Sequence, residues 1–149
     1  MRPHVTVNCA MTADGKIASK ARKQLRISSP EDLERVKAMR ASSDAILVGV
    51  GTVLADDPHL TVKGLPPEKN PLRVVLDSNG RTPQGARVLD ARARTVIATS
   101  EECPATWPGA EVIRVGKGKV DLAALLDRLY AMGVRSLMVE GGGETIFSF

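Results

Sequence analysis

Residues 49 to 58 read GVGTVLADDP and follow an apolar run, DAILVGV, at 44 to 50. An ordinary surface turn needs one glycine and one aspartate; this stretch holds two glycines, a threonine and two aspartates. Two further polar segments come straight after apolar runs: Asp77-Ser78-Asn79-Gly80-Arg81 and Glu140-Gly141-Gly142-Gly143. Glycine at the end of a strand lets backbone N–H groups approach a phosphate closely. A helix opening after GGG would aim its positive end at the same anion. Each segment alone also reads as a plain turn. Three of them in one chain point to a phosphate-bearing ligand such as a dinucleotide.

Other chemistries find little support. Gly49-Val50-Gly51 is followed by Thr52-Val53-Leu54, so the dinucleotide pattern G-x-G-x-x-G fails, and GKGK at 116–119 lacks P-loop spacing. There is no G-x-S-x-G elbow and no zinc-deaminase signature. His4, His59, Cys9 and Cys103 are too few and too scattered for a metal site, so none is expected. The two cysteines lie far apart, which suits a reducing cytoplasm better than a disulfide framework. No apolar stretch approaches the roughly 20 residues of a membrane span, and the N-terminus lacks a signal-peptide core. The formal net charge of +4 comes from basic residues spread along the chain. One Trp, one Tyr and two Phe offer few platforms for stacking bases, so small anions are the expected partners and nucleic acid is not.

The elements that must position these residues follow from periodicity. His4 to Met11 alternates as a strand, with Thr6 and Asn8 on its polar face. Asp14-Gly15 marks a turn. Ser29 suits an N-cap, Pro30 the first helical position, and Glu31 and Asp32 the first turn. Leu33, Val36 and Met39 make an apolar stripe on that helix, which runs to about Arg40. Residues 44–50, 73–77, 95–99, 111–115 and 134–140 read as strands, several apolar throughout and so buried on both faces. Residues 51–58 read as a loop and 64–71 as a connector. Asp121 caps a helix with Leu122, Leu125, Leu126 and Leu129 on one face, and Gly133 stops it. Glu144 to Phe149 looks like the first turn of another helix. Strands alternating with helices predict an α/β domain with a largely parallel sheet. Ligands in such sheets sit beyond the carboxyl ends of the strands.

Taken together, MTADGKIA (11–18), RISSPEDL (26–33), RASSDAILVGVGTVLADDPHLTV (40–62), PLRVVLDS (71–78), GKVDL (118–122) and VEGGGE (139–144) resemble the reductase family of riboflavin biosynthesis, which has a dihydrofolate-reductase-like fold. The resemblance spans essentially the whole chain. It implies a single three-layer α/β/α domain over 1–149, shortened at its C-terminus, since family members continue beyond EGGG into strands that commonly form a dimer interface. With no deaminase domain ahead of it, the chain looks like the stand-alone archaeal or fungal type. That type reduces 2,5-diamino-6-ribosylamino-4(3H)-pyrimidinone 5′-phosphate; the bacterial type reduces the deaminated compound.

The implied reaction is hydride transfer from NADPH, or NADH, to C1′ of the ribosyl group, giving a ribityl chain. By the resemblance, Thr52 and Asp56 contact the nicotinamide cofactor, Gly49 and Gly51 let the backbone come close, Ser78 is a further cofactor contact, and Gly141, Gly142 and Gly143 form the pyrophosphate loop. Arg40, Leu60, Lys63 and Glu140 lie on the substrate, and Asn8 hydrogen-bonds the pyrimidine. Arg81, following Ser78, is placed to meet a cofactor 2′-phosphate. Asp14, Lys16, Glu140 or water would deliver the proton to the ring oxygen. Two alternatives remain: a non-catalytic nucleotide-binding module of the same fold, and a dihydrofolate reductase relative with another substrate. Asn8 weighs against the second, where a carboxylate normally holds the ring.

Overall fold

The computed structural model of the protein describes residues 1–9 and 29–149. The MTADGKIA segment, with Asp14 and Lys16, lies outside the described residues, as do Ala10 and Met11 at the end of the first predicted strand. The elements run β1 (His4–Val7), α1 (Pro30–Ala41), β2 (Ala45–Gly49), α2 (Val50–Asp56), β3 (Leu72–Leu76), β4 (Thr95–Thr99), β5 (Glu111–Arg114), α3 (Leu122–Ala131), β6 (Ser136–Gly141) and α4 (Gly143–Phe147). Short 3-10 turns at Pro67–Lys69 and Arg87–Leu89 punctuate the connections.

Local chemistry sets the helix starts. Ser29 Oγ accepts the N–H of Asp32 at 3.2 Å and Pro30 opens α1. Asp121 accepts the N–H of Ala124 at 3.0 Å and opens α3. Gly133, at φ +98°, lets the chain leave α3 in a conformation that side chains rarely adopt.

The six strands form one parallel sheet in the order β1-β6-β2-β3-β4-β5. β6 therefore slots between β1 and β2, and every carboxyl end lies along one edge. Alternate residues feed two apolar layers. Leu47, Val74, Val96 and Leu137 join Leu125 and Leu129 of α3 on one face. Ile46, Val48, Val75 and Ile97 join Val50 and Val53 of α2, with Leu60, Val88 and Trp107, on the other. Among the described residues, the buried side chains that complete this second layer come from α2 and from loops. Leu125 and Leu129 have no exposure, and burying each contributes about 1.5–3 kcal/mol.

Two expectations need correction. Residues 50–56 form α2, not a loop. The apolar stripe of α1 is not buried among the described residues, and Leu33 is 46% exposed. A third feature escaped the periodicity altogether. Arg73, in the apolar run of β3, is fully buried. Its Nε donates to Thr95 Oγ1 at 2.9 Å, Nη1 to Asp90 Oδ1 at 2.9 Å and to the His59 carbonyl at 3.1 Å, and Nη2 to the Ala93 carbonyl at 2.7 Å. A guanidinium has only donors, and a buried one is tolerable when they are used. Arg73 therefore ties β3 to the loop leading into β4.

Candidate active site

The carboxyl edge gathers residues from β1, β6, β2 and β3. β2 ends at Gly49, and α2 starts at once. A Cβ at Gly49 would lie 2.2 Å from Thr145 Oγ1 of α4; at Gly141 it would lie 2.8 Å from Thr52 Oγ1; at Gly142, 3.2 Å from Thr145 Oγ1. These three glycines clear room for two threonine side chains where β2 and β6 end side by side. Neither hydroxyl hydrogen-bonds to a described residue. Gly142 also takes φ +85°, a turn that favours glycine. A Cβ at Gly51 would meet nothing within 4 Å, so that glycine faces open space. Gly143 opens α4.

The two aspartates of ADDP separate. Asp56, in the last turn of α2, is exposed, and the desolvation it does feel lifts its carboxyl above the ordinary aspartate range. Asp57 adopts a left-handed conformation, φ +42°, as the C-cap of α2, and its carboxylate accepts the N–H of Arg87 at 2.8 Å. The first is available to a ligand and the second is structural.

Beside the glycines, Glu140 of β6 meets Arg40 of α1. Nε and Nη2 each donate to a different carboxylate oxygen at 2.7 Å, and the Glu140 side chain is 8% exposed. Asn8 follows β1 and accepts a hydrogen bond from Arg35 Nη2 at 3.0 Å. On the other flank, Ser78 Oγ accepts the N–H of Val120 at 3.0 Å. Asp77 is fully buried and faces inward, accepting the N–H groups of Arg81 and Thr82 and the Thr82 hydroxyl at 2.7–2.8 Å. With its oxygens committed to those donors, it is turned away from the exposed Arg81 side chain. Arg81 is exposed, and its side chain pairs with no described residue.

Two substrate-side candidates stand apart from this cluster. Leu60, at φ +51°, is 3% exposed and belongs to the apolar layer under α2, leaving little surface for a ligand. Lys63 borders a groove of about 370 Å³ between α1 and the Val62–Leu65 turn, facing Glu34, Lys37, Ala38 and Ala41. Arg40 does not line that groove.

Among known proteins, residues 3–149 match the RibD C-terminal domain family. The 2,5-diamino-6-ribosylamino-4(3H)-pyrimidinone 5′-phosphate reductase of Archaeoglobus fulgidus is 52% identical over 99% of this chain and 74% of its own length. This chain belongs to the riboflavin-biosynthesis reductase family. The reductase of the same name from Methanothermobacter thermautotrophicus is 50% identical over 99% of the chain and 71% of its own length. In the fold comparison, the deaminase/5-amino-6-(5-phosphoribosylamino)uracil reductase of Thermotoga maritima superposes with a TM-score of 0.83 at 36% identity, over 97% of this chain and 40% of that one. The riboflavin reductase fold is thus the fold described above, a parallel sheet whose strands all end on one edge.

Within this reductase fold, three polar side chains escaped the sequence reading. Thr145 stands two residues beyond GGG, and a hydroxyl in the first turn of a helix after a glycine run was the available signal. Lys37 lies three residues before Arg40, a helical spacing that brings the two cations to neighbouring positions on α1. Arg35 gave no signal, because its partner Asn8 is 27 residues away.

Proposed function

We propose that the protein is the NADPH-dependent reductase that converts the ribosylamino group of 2,5-diamino-6-ribosylamino-4(3H)-pyrimidinone 5′-phosphate to ribitylamino. The observation that carries this reading is the floor of two threonine hydroxyls, unpaired among the described residues and set among three glycines, next to the Arg40–Glu140 pair. Hydroxyl donors and an accessible backbone fit the pyrophosphate of a nicotinamide dinucleotide. Thr52, Thr145, Gly141, Gly142 and Gly143 would hold it, with Gly49 and Gly51 keeping the approach open, Asp56 and Ser78 alongside and Arg81 at the 2′-phosphate. When bound, the dinucleotide supplies the hydride to C1′, and the sugar ring opens as a proton reaches its oxygen.

The protein's part is positioning. Asn8 meets the pyrimidine, Lys63 and Lys37 draw the 5′-phosphate, and Arg40 orients the substrate from the edge of the sheet. Glu140 accepts with both oxygens, which suits it to hold Arg40 and not to deliver the proton. That step falls to water or to Asp14 or Lys16. The net charge and the spread of cations suit a phosphorylated small molecule. No helix among the described residues is long and apolar enough to cross a membrane. A cytoplasmic homodimer completes the proposal, and sedimentation tests its oligomeric part.

The deciding experiment is NADPH oxidation by the purified protein with the diaminopyrimidinone and with its deaminated analogue. Turnover with the first in preference to the second supports the reading. Cofactor binding without turnover of either would favour a non-catalytic module.

A further inference from the structure

Two arginines of α1 reach the carboxyl edge of the sheet. Arg40 grips Glu140; five residues earlier, Arg35 donates from Nη2 to Asn8 Oδ1 at 3.0 Å. The backbone N–H of Asn8 bonds to the Val139 carbonyl at 2.9 Å, so Asn8 stands beside Glu140 along the sheet. The two ends of an amide have nearly the same shape, but a guanidinium has only donors. The atom facing Arg35 is therefore the oxygen, and the NH2 group faces away. That nitrogen makes no hydrogen bond to a described residue. Arg35 is itself held, 2.7 Å from Asp32 Oδ1 and 2.9 Å from Met39 Sδ. The orientation of the Asn8 amide is set by α1 before any ligand arrives.

We infer that Arg35 is a positioning residue that locks Asn8 as a hydrogen-bond donor, so that the amide takes a ring carbonyl oxygen of the pyrimidinone and disfavours a ring edge presenting N–H. The inference rests on the reductase reading and deepens it. A free asparagine can turn either end to its ligand; one whose oxygen is committed to a guanidinium offers donors alone. The specificity follows from the asymmetry of donors and acceptors: a donor facing an acceptor gains a bond, whereas a donor facing an N–H leaves both unpaired.

The test is Asn8→Asp, Arg35→Met and Arg35→Lys. Asn8→Asp keeps an oxygen toward Arg35 but turns the outward group from donor to acceptor. It should raise the KM for the pyrimidine about tenfold or more, with the NADPH Kd and Tm close to wild type. Arg35→Met frees the amide and should raise that KM several-fold; Arg35→Lys, which still donates, should restore most of it. An unchanged KM in Asn8→Asp overturns the inference. So does a parallel loss of substrate affinity, NADPH affinity and Tm, which would make the contact a structural tether. A wild-type protein that neither binds nor reduces the pyrimidine overturns the reductase reading, and the inference with it.

Discussion

Gly49 illustrates how a glycine at a candidate ligand site answers first to its protein neighbours. Its φ of −78° is open to any residue, so backbone freedom does not explain it; the Thr145 hydroxyl, 2.2 Å from where a Cβ would stand, does. Gly49→Ala should destabilise the protein by about 1–3 kcal/mol, the usual range for overpacking. Gly49→Ala with Thr145→Ala should recover most of that, because the next atom, Thr145 Cβ, is at an ordinary 3.5 Å. Urea midpoints decide it, and a single variant as stable as wild type would refute the packing account. Arg81 presents the opposite case, with its backbone fixed by Asp77 and its side chain exposed. If it reads a 2′-phosphate, Arg81→Ala should weaken NADPH by about 1–3 kcal/mol and leave NADH nearly unchanged. Equal losses for both cofactors would remove Arg81 from that role.

At the scale of elements, β3 and its following loop depend on one buried charge. Asp90 is the carboxylate partner of Arg73. Burial pushes the Asp90 carboxyl up, but the hydrogen bond and charge of Arg73, with the N–H of Arg92 and the contact to His59, hold it below the ordinary aspartate range. A carboxyl lowered by folding contributes stability above its unfolded pKa of about 3.9, and loses it as pH falls through the lower folded value. Asp44 acts in the same direction, lowered first by the N–H of Arg135 against the opposing effect of burial. Asp90→Ala should cost roughly 3 kcal/mol at neutral pH, the lower end of the range for stripping a buried charge of its partner, because Asp90 is 32% exposed. The gap between wild type and variant should narrow below about pH 4. A gap that stays constant into acid would mean that the ion pair is not what stabilises the loop.

For the whole molecule, a net charge of +4 and a groove where Lys37 and Lys63 outnumber the one carboxylate, Glu34, bear on how a phosphorylated substrate arrives. The KM for that substrate should rise several-fold as salt is raised from low to above physiological levels, with kcat nearly flat. Lys63→Ala should raise KM at low salt and flatten the salt dependence. A kcat that falls while KM holds would place the salt effect on a step after binding. The parallel sheet makes this geometry possible, since its carboxyl ends all open on one edge and β6, inserted between β1 and β2, sets Glu140 and the glycine run beside Asn8 and Gly49.

The amino-acid sequence by itself determined the alternation of strands and helices, the caps at Ser29 and Asp121 and the end of α3 at Gly133. Each depends on neighbours within a turn or two, so local pattern suffices. It also supplied Asn8, Arg40, Gly49, Thr52, Glu140 and the glycine run as candidates, all of which lie along one edge of the sheet. Tertiary structure alone decided the rest. Val50, Thr52 and Val53 are β-branched and lie beside glycine, a poor helix sequence; α2 forms there because Val50 and Val53 bury against Ile46, Val48 and Val75. The burial of the Arg73 guanidinium was not legible in the strand at 73–77, because its acceptors come from residues 59, 90, 93 and 95. Arg35 and Asn8, Gly49 and Thr145, and Gly141 and Thr52 are pairs set by strand order. Strand order rests on contacts between distant segments, for which no single stretch of chain carries the information.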